Sequence, residues 1–213
     1  MNKKNLLENF NVRVYAHDKN TEFNNYYEAS RKEFQKIVDS GAKEESLHKY
    51  LEENPLLLLN AGIRFAFPFA RKRCALFSKL KFAERYVIDL SFVHADSTGA
   101  NWVFIELEKS DVKLFNKKGD MSQYLNHAYR QVMDWQAWIK DNKAYAQDIL
   151  GRLQVSSGIT KETNFSTDPY FVIIIGRRQM LTDGDKRRRN ELCNNNPRLK
   201  ISTYDRLLEP IVS

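Results

Sequence analysis

The chain has 213 residues, 42% hydrophobic and 12% aromatic, enough apolar content for one domain with a sizeable core. No apolar run approaches the roughly 18 residues of a membrane span, the N-terminal MNKKNLLENF lacks a secretory stretch, and Cys74 and Cys193 belong to no CxxC pair, which argues against membrane, secreted and zinc-ribbon classes and for the cytoplasm. The formal charge of +7 favours a polyanionic partner without establishing one.

Taken in order, FNVRVYA alternates and predicts a strand on the edge of the domain. From Asn25 to Asp39, Tyr26, Ala29, Phe34, Ile37 and Val38 recur at near-helical spacing, and Ser40-Gly41 closes the pattern. A second helix from Lys43 to Glu53 sets Leu47, Tyr50 and Leu51 on one side before Asn54-Pro55 stops it. IRFAFPF reads as a strand bent or edge-placed by Pro68. ARKRCALFSKLKFAER then interleaves Arg71, Lys72, Arg73, Lys79, Lys81 and Arg85 with aromatics.

Tyr86–Lys109 predicts a hairpin, and SDVKLFNKKGDMSQ after it reads as a flexible basic loop, since Gly, Asp, Asn and Lys mix without period. The strongest helix runs from about Asp120 to Lys140, with Leu125, Ala128, Val132, Trp135 and Ile139 in one stripe and Gln131 at its border. A helix over Ala144–Leu153 and a polar loop, SSGITKETNFSTD, lead to YFVIIIGRR, a strand buried on both faces. TDGDKRRRNELCNN reads as a helix capped near Asp183 or Asp185, RLKISTY as the last strand, and YDRLLEPI as a terminal turn. This order implies an α/β domain with a mixed sheet covered by helices.

Within the hairpin, a turn centred near Ser97 sets Ile88 opposite Leu107, Leu90 opposite Ile105 and Phe92 opposite Val103, an apolar face throughout. The same register places Asp89 opposite Glu106, with Glu108 emerging on that face two residues on. Facing like charges destabilise a ladder, so three converging carboxylates call for a reason beyond strand propensity. A hard divalent cation supplies one: Asp89 and Glu106 as ligands, the Leu107 carbonyl as another, and Glu108 as ligand or base. The alternative is a solvated polar face, or a purely structural metal site.

The ordered set ESLHKYLEENPLLL, YVIDLSF, WVFIELEK, HAYRQVMDWQAWIKDN, FVIIIGRR and ISTYDRLL resembles the Shedu family of anti-phage defence nucleases, within the PD-(D/E)XK superfamily, over roughly residues 44–208. The resemblance implies a restriction-endonuclease-like core at 44–213 behind a short extension at 1–43, Mg²⁺- or Mn²⁺-dependent DNA cleavage, and a homo-oligomer, dimer or higher. It matches Asp89 and Glu106 to the motif acids and Gln131 to a helix glutamine, with Glu44 or Glu45 as an acid on the first core helix. Arg85, Arg177, Arg178, Lys79 and Lys81 are then expected to face DNA, since phosphate contacts supply most nonspecific affinity. The pattern departs at Glu108, which stands where the family has lysine, while a one-residue step turns Lys109 to the other face. Two readings follow: a metal-dependent endonuclease or nickase, or a DNA-binding or assembly module whose catalysis has weakened.

Overall fold

In a computed structural model, the protein is described over residues 11–15, 21–58, 74–82, 85–96, 99–160 and 169–209. The predicted strand around Pro68 and the cations Arg71, Lys72 and Arg73 lie outside the described residues. Helices α1 (Thr21–Asp39) and α2 (Glu44–Glu53) precede a four-strand meander, β1 (Asn11–Tyr15), β2 (Cys74–Phe82), β3 (Tyr86–Asp96) and β4 (Gly99–Leu107), β1 being contributed from ahead of both helices. Then come α3 (Gln123–Asp141), α4 (Lys143–Ser156), β5 (Tyr170–Ile174), α5 (Asp183–Asn195) and β6 (Leu199–Ser202). The strands form one sheet in sequence order, antiparallel from β1 to β4 and parallel from β4 to β6. The α/β class and mixed sheet expected from the element order are therefore present.

Side-chain alternation divides the core into two layers. Trp102 and Phe104 of β4 point to a cluster with Phe77, Phe171 and the α3 stripe Leu125, Ala128, Val132, Trp135 and Ile139, every member of which is buried. Phe104 meets Trp135 and Phe171 edge-on, at centroid distances of 6.5 and 5.8 Å, the arrangement ring quadrupoles favour. The intervening Val103, Ile105 and Leu107 point the other way, to Leu90 and Phe92 of β3, Phe34 and Val38 of α1, and Leu47 and Leu51 of α2. Helices thus cover both faces, and β4 is buried along its length. At about 1.5–3 kcal/mol per buried large apolar side chain, these two layers carry the stability of the domain.

Four sequence expectations change. Helix α1 begins at Thr21, earlier than Asn25. The predicted flexible loop after β4 is folded: Leu114 and Phe115 are buried, Phe115 pairs with Met121, and the Asn116 side chain accepts from the N–H groups of Lys118 and Asp120 at 2.8 and 3.1 Å. Its sparse apolar residues gave no period because they anchor a tight turn. Helix α5 is capped by Thr182, with Asp185 closing a capping box.

The fourth and largest change is in the hairpin. Leu90↔Ile105 and Phe92↔Val103 pair as expected, but the ladder stops at Leu90, so Ile88 does not pair with Leu107. Ile88 joins the α3-side cluster while Leu90 joins the α1-side one, so strand parity flips at Asp89. On β2 the same happens at Lys79, which adopts a left-handed φ of 49°, and the β2–β3 pairing passes from Ser78↔Leu90 to Leu80↔Ile88 without Lys79 or Asp89. A lysine in that region costs on the order of 1–2 kcal/mol and persists only where its surroundings hold it.

Candidate active site

Freed from the ladder, Asp89 is held by three other groups. One carboxylate oxygen accepts the Leu107 N–H at 3.0 Å, the other accepts the Lys79 ammonium at 2.5 Å, and its carbonyl oxygen lies 3.0 Å from His48 Nε2 of α2. The backbone hydrogen bond that a continuing ladder would have made at Leu107 is supplied instead by the aspartate side chain. The kink therefore turns a strand residue into the floor of a site.

Glu106 and Glu108 share one parity and lie on the α3 side, as expected from alternation. Glu106 is 5% exposed, and its Oε2 is buried with no hydrogen-bond partner among the described residues. Burial, then the charges of Asp89, Glu108 and Glu44, push its carboxyl well above the ordinary value of 4.5, against the pull of Lys79. Glu108 extends the sheet through its N–H to the Ile174 carbonyl at 2.9 Å. Its side chain is 3.3 Å from His127 Nδ1 of α3; burial raises its carboxyl, and that hydrogen bond partly offsets the rise. Glu44, in the first turn of α2, is raised by burial and then by Asp89.

Four carboxylates from α2, β3 and β4 thus lie within electrostatic reach of one another at the end of the sheet. The predicted register does not form, however: the β3–β4 ladder ends at Leu90↔Ile105, so Asp89 does not pair with Glu106 and reaches β4 through the Leu107 N–H instead. Gln131 lies one helical turn beyond His127 on the same side of α3, with its Oε1 buried and without a hydrogen-bond partner among the described residues. Of the two acids proposed on the first core helix, Glu44 faces the site, whereas Glu45 is exposed. Behind Glu108, the Tyr204 hydroxyl donates to its carbonyl at 2.6 Å. Gly176, at φ 63°, closes the junction by bonding its N–H to the Lys109 carbonyl, and a Cβ there would meet the Val112 carbonyl at 2.5 Å.

The basic residues separate. Lys79 enters the acidic site. Lys81 and Arg85 are exposed nearby, the Arg85 guanidinium lying 5.6 Å from the Tyr86 ring. Arg177 is buried and bridges Asp39 of α1 to Asp205, a packing role. Arg178 is exposed and paired with Glu209. Lys109 lies over the Tyr124 ring of α3, 5.3 Å from its centroid. Sequence reasoning did not single out His48, His127 or Tyr204, and it assigned Lys79 to DNA alone; a histidine on the solvent edge of the strongest helix was the one available signal.

Fold and site define an α/β domain whose parallel strands lead at their carboxyl ends to a buried cluster of acids answered by one strained lysine. The chain belongs to the Shedu family: the family described as Shedu protein SduA, C-terminal, matches residues 41–208, a span holding every residue of the cluster. That membership points to antiviral defence. No curated protein matches the chain. Among the described residues no helix is long and apolar enough to cross a membrane.

Proposed function

We propose that this chain is a Mg²⁺- or Mn²⁺-dependent DNA endonuclease or nickase with a restriction-endonuclease-like, PD-(D/E)XK core, acting in anti-phage defence as a homo-oligomer. The observation that carries the reading is the orphaned, buried Oε2 of Glu106 among three further carboxylates. Such a group is costly without a partner, and an all-oxygen donor set suits a hard dication. Asp89, Glu106, the Leu107 carbonyl and Glu108 would hold it. When bound, such an ion supplies positive charge against the oxygens of a scissile phosphate and acidifies nearby water.

The chain's own residues do the rest. Glu108 serves either as a further ligand or as the base that takes the proton of the attacking water, with the exposed His127 imidazole 3.3 Å away to pass it toward solvent. The Lys79 ammonium provides the cation the Glu108 position lacks and faces the charge that builds up on the phosphate. Lys81 and Arg85, exposed on the same edge, steer the backbone. Gln131 orients the water or the phosphate from α3.

A second reading, a DNA-binding or assembly module with weakened catalysis, is favoured by one specific feature. Among the described residues no three acidic, histidine or cysteine side chains are already gathered as metal ligands, and Lys79 occupies Asp89. Incubation of supercoiled and linear DNA with Mg²⁺, Mn²⁺ or chelator separates the two. Metal-dependent cutting that disappears in Asp89→Ala and Glu106→Ala supports the nuclease. Equal residual cutting in all three proteins, with DNA binding retained, supports the module.

A further inference from the structure

Helix α5 and strand β6 form a second charged feature, separate from the acidic site. Its four consecutive cations, Lys186 to Arg189, are not equivalent. Lys186 pairs with Asp183 at 2.8 Å and Arg188 with Asp185 at 3.6 Å, both one turn back on the helix. Arg189 makes no ion pair among the described residues and instead lines a cleft of about 410 Å³. Lys200 of β6, likewise without an ion pair among the described residues, enters the same cleft, as do Arg178 and Arg206. The latter two guanidiniums are both tied to Glu209, one to each carboxylate oxygen, which fixes their positions.

Among the described residues lining this cleft there is no aspartate or glutamate, and the amides of Asn190 and Asn194 add neutral donors. Glu209 offsets part of the charge of Arg178 and Arg206, but Arg189 and Lys200 have no ion pair among the described residues, so the cleft keeps an excess of positive charge that a polyvalent anion would offset. The location adds to the argument. The cleft opens beside the carboxyl end of β6, in the parallel part of the sheet, where ligands of open α/β sheets bind. Thr203 lines it, and the next residue, Tyr204, holds the Glu108 carbonyl, so cleft and acidic site share one wall.

We propose that this cleft is a phosphoryl-binding site, in which Arg189, Lys200, Arg178 and Arg206 grip a phosphate of a nucleic acid backbone or of a free nucleotide. Fork-shaped guanidiniums match the geometry of phosphate oxygens, and the volume admits a nucleotide as readily as one backbone phosphate. The inference stands apart from the hydrolytic reading, because binding here needs no metal and no cutting.

The test uses the full chain in chelator, with a short fluorescein-labelled DNA duplex followed by anisotropy, and ATP and inorganic phosphate followed by thermal shift. The variant is Arg189→Gln with Lys200→Gln, both outside the ion pairs described. Lys32→Gln with Lys49→Gln, exposed on α1 and α2, removes the same charge elsewhere. If the occupant is a backbone phosphate, the site variant weakens duplex binding on the order of tenfold and lowers the salt slope by about 2, while the control changes little. If it is a free nucleotide, ATP stabilises the wild type and not the site variant, and the duplex is unaffected. Equal losses in site and control variants, or no binding of any probe, overturn the proposal.

Discussion

The acidic site and the basic cleft lie at one end of the sheet, flanked by the successive residues Tyr204 and Thr203, yet they are built in opposite ways. The acidic site comes from a fault in regular structure. Two neighbouring strands change parity at Lys79 and Asp89, a left-handed lysine is held in mid-strand, and carboxylates are buried together. The basic cleft comes from ordinary structure: a well-capped helix and a short strand whose outer side chains converge across a groove. Strain and burial are needed where chemistry requires fixed, desolvated charge; a binding surface needs only accessible charge of one sign.

The sharpest break of this contrast is Asp89→Ala. It removes the acceptor of the Leu107 N–H and the partner of Lys79, and cutting of plasmid DNA is expected to fall by about 100-fold or more. Duplex binding in chelator should stay near wild type, because the cleft is untouched. Loss of both together would mean that the two regions are one.

Next is Lys79→Met, which keeps the length of the side chain and removes its charge. If the ammonium faces the scissile phosphate, cutting drops by about tenfold or more, while thermal stabilisation by Mn²⁺ rises because Asp89 no longer has a competing cation. Unchanged cutting with stronger Mn²⁺ binding would reduce Lys79 to a counterion.

Glu106→Gln gives a smaller effect, read through pH. The folded-state carboxyl of Glu106 is raised well above 4.5 by burial and by its acidic neighbours. Its folded form therefore holds a proton that the unfolded chain releases, so stability is fully present below the ordinary value and is lost as pH rises through the raised one. In chelator, wild-type melting temperature should fall across that window. The Gln variant should show a flatter profile and melt higher at neutral pH. A parallel pair of curves would mean that Glu106 has found a partner in solution.

The smallest effect is expected from Tyr204→Phe, which strips the buried hydroxyl from the Glu108 carbonyl. A loss of about 1 kcal/mol in denaturant unfolding is expected, with cutting more affected than cleft binding. Equal effects on both would make Tyr204 a shared prop rather than the back wall of the acidic site.

Much of this architecture was legible in the sequence, because it depends on short-range period. Alternation predicted Leu90 opposite Ile105 and Phe92 opposite Val103, helical spacing predicted the α3 stripe residue by residue, and the unbroken apolar run predicted β5 as buried. Alternation also put Glu106 and Glu108 on one face, but it set Asp89 opposite Glu106 in a pairing that the structure does not make. What alternation could not carry was its own interruption: no residue type in SKLK or VIDLS announces that parity flips at Lys79 and Asp89, so Ile88 was paired with a residue it does not meet. The loop after β4 was misjudged for a related reason, since two buried residues in a tight turn make no period.

By itself, then, the sequence determined the elements, their order, the sheet's mixed character and the shared face of Glu106 and Glu108, because neighbours along a strand or helix share a face by geometry alone. Only the tertiary structure decided that Glu44, His48, His127 and Tyr204 close around those acids, that Lys79 answers them, that Arg177 is spent on packing, and that Arg189 and Lys200 face one cleft. Those contacts join residues as much as 138 positions apart, and the path of the chain between them, not any local pattern, sets which side chains arrive.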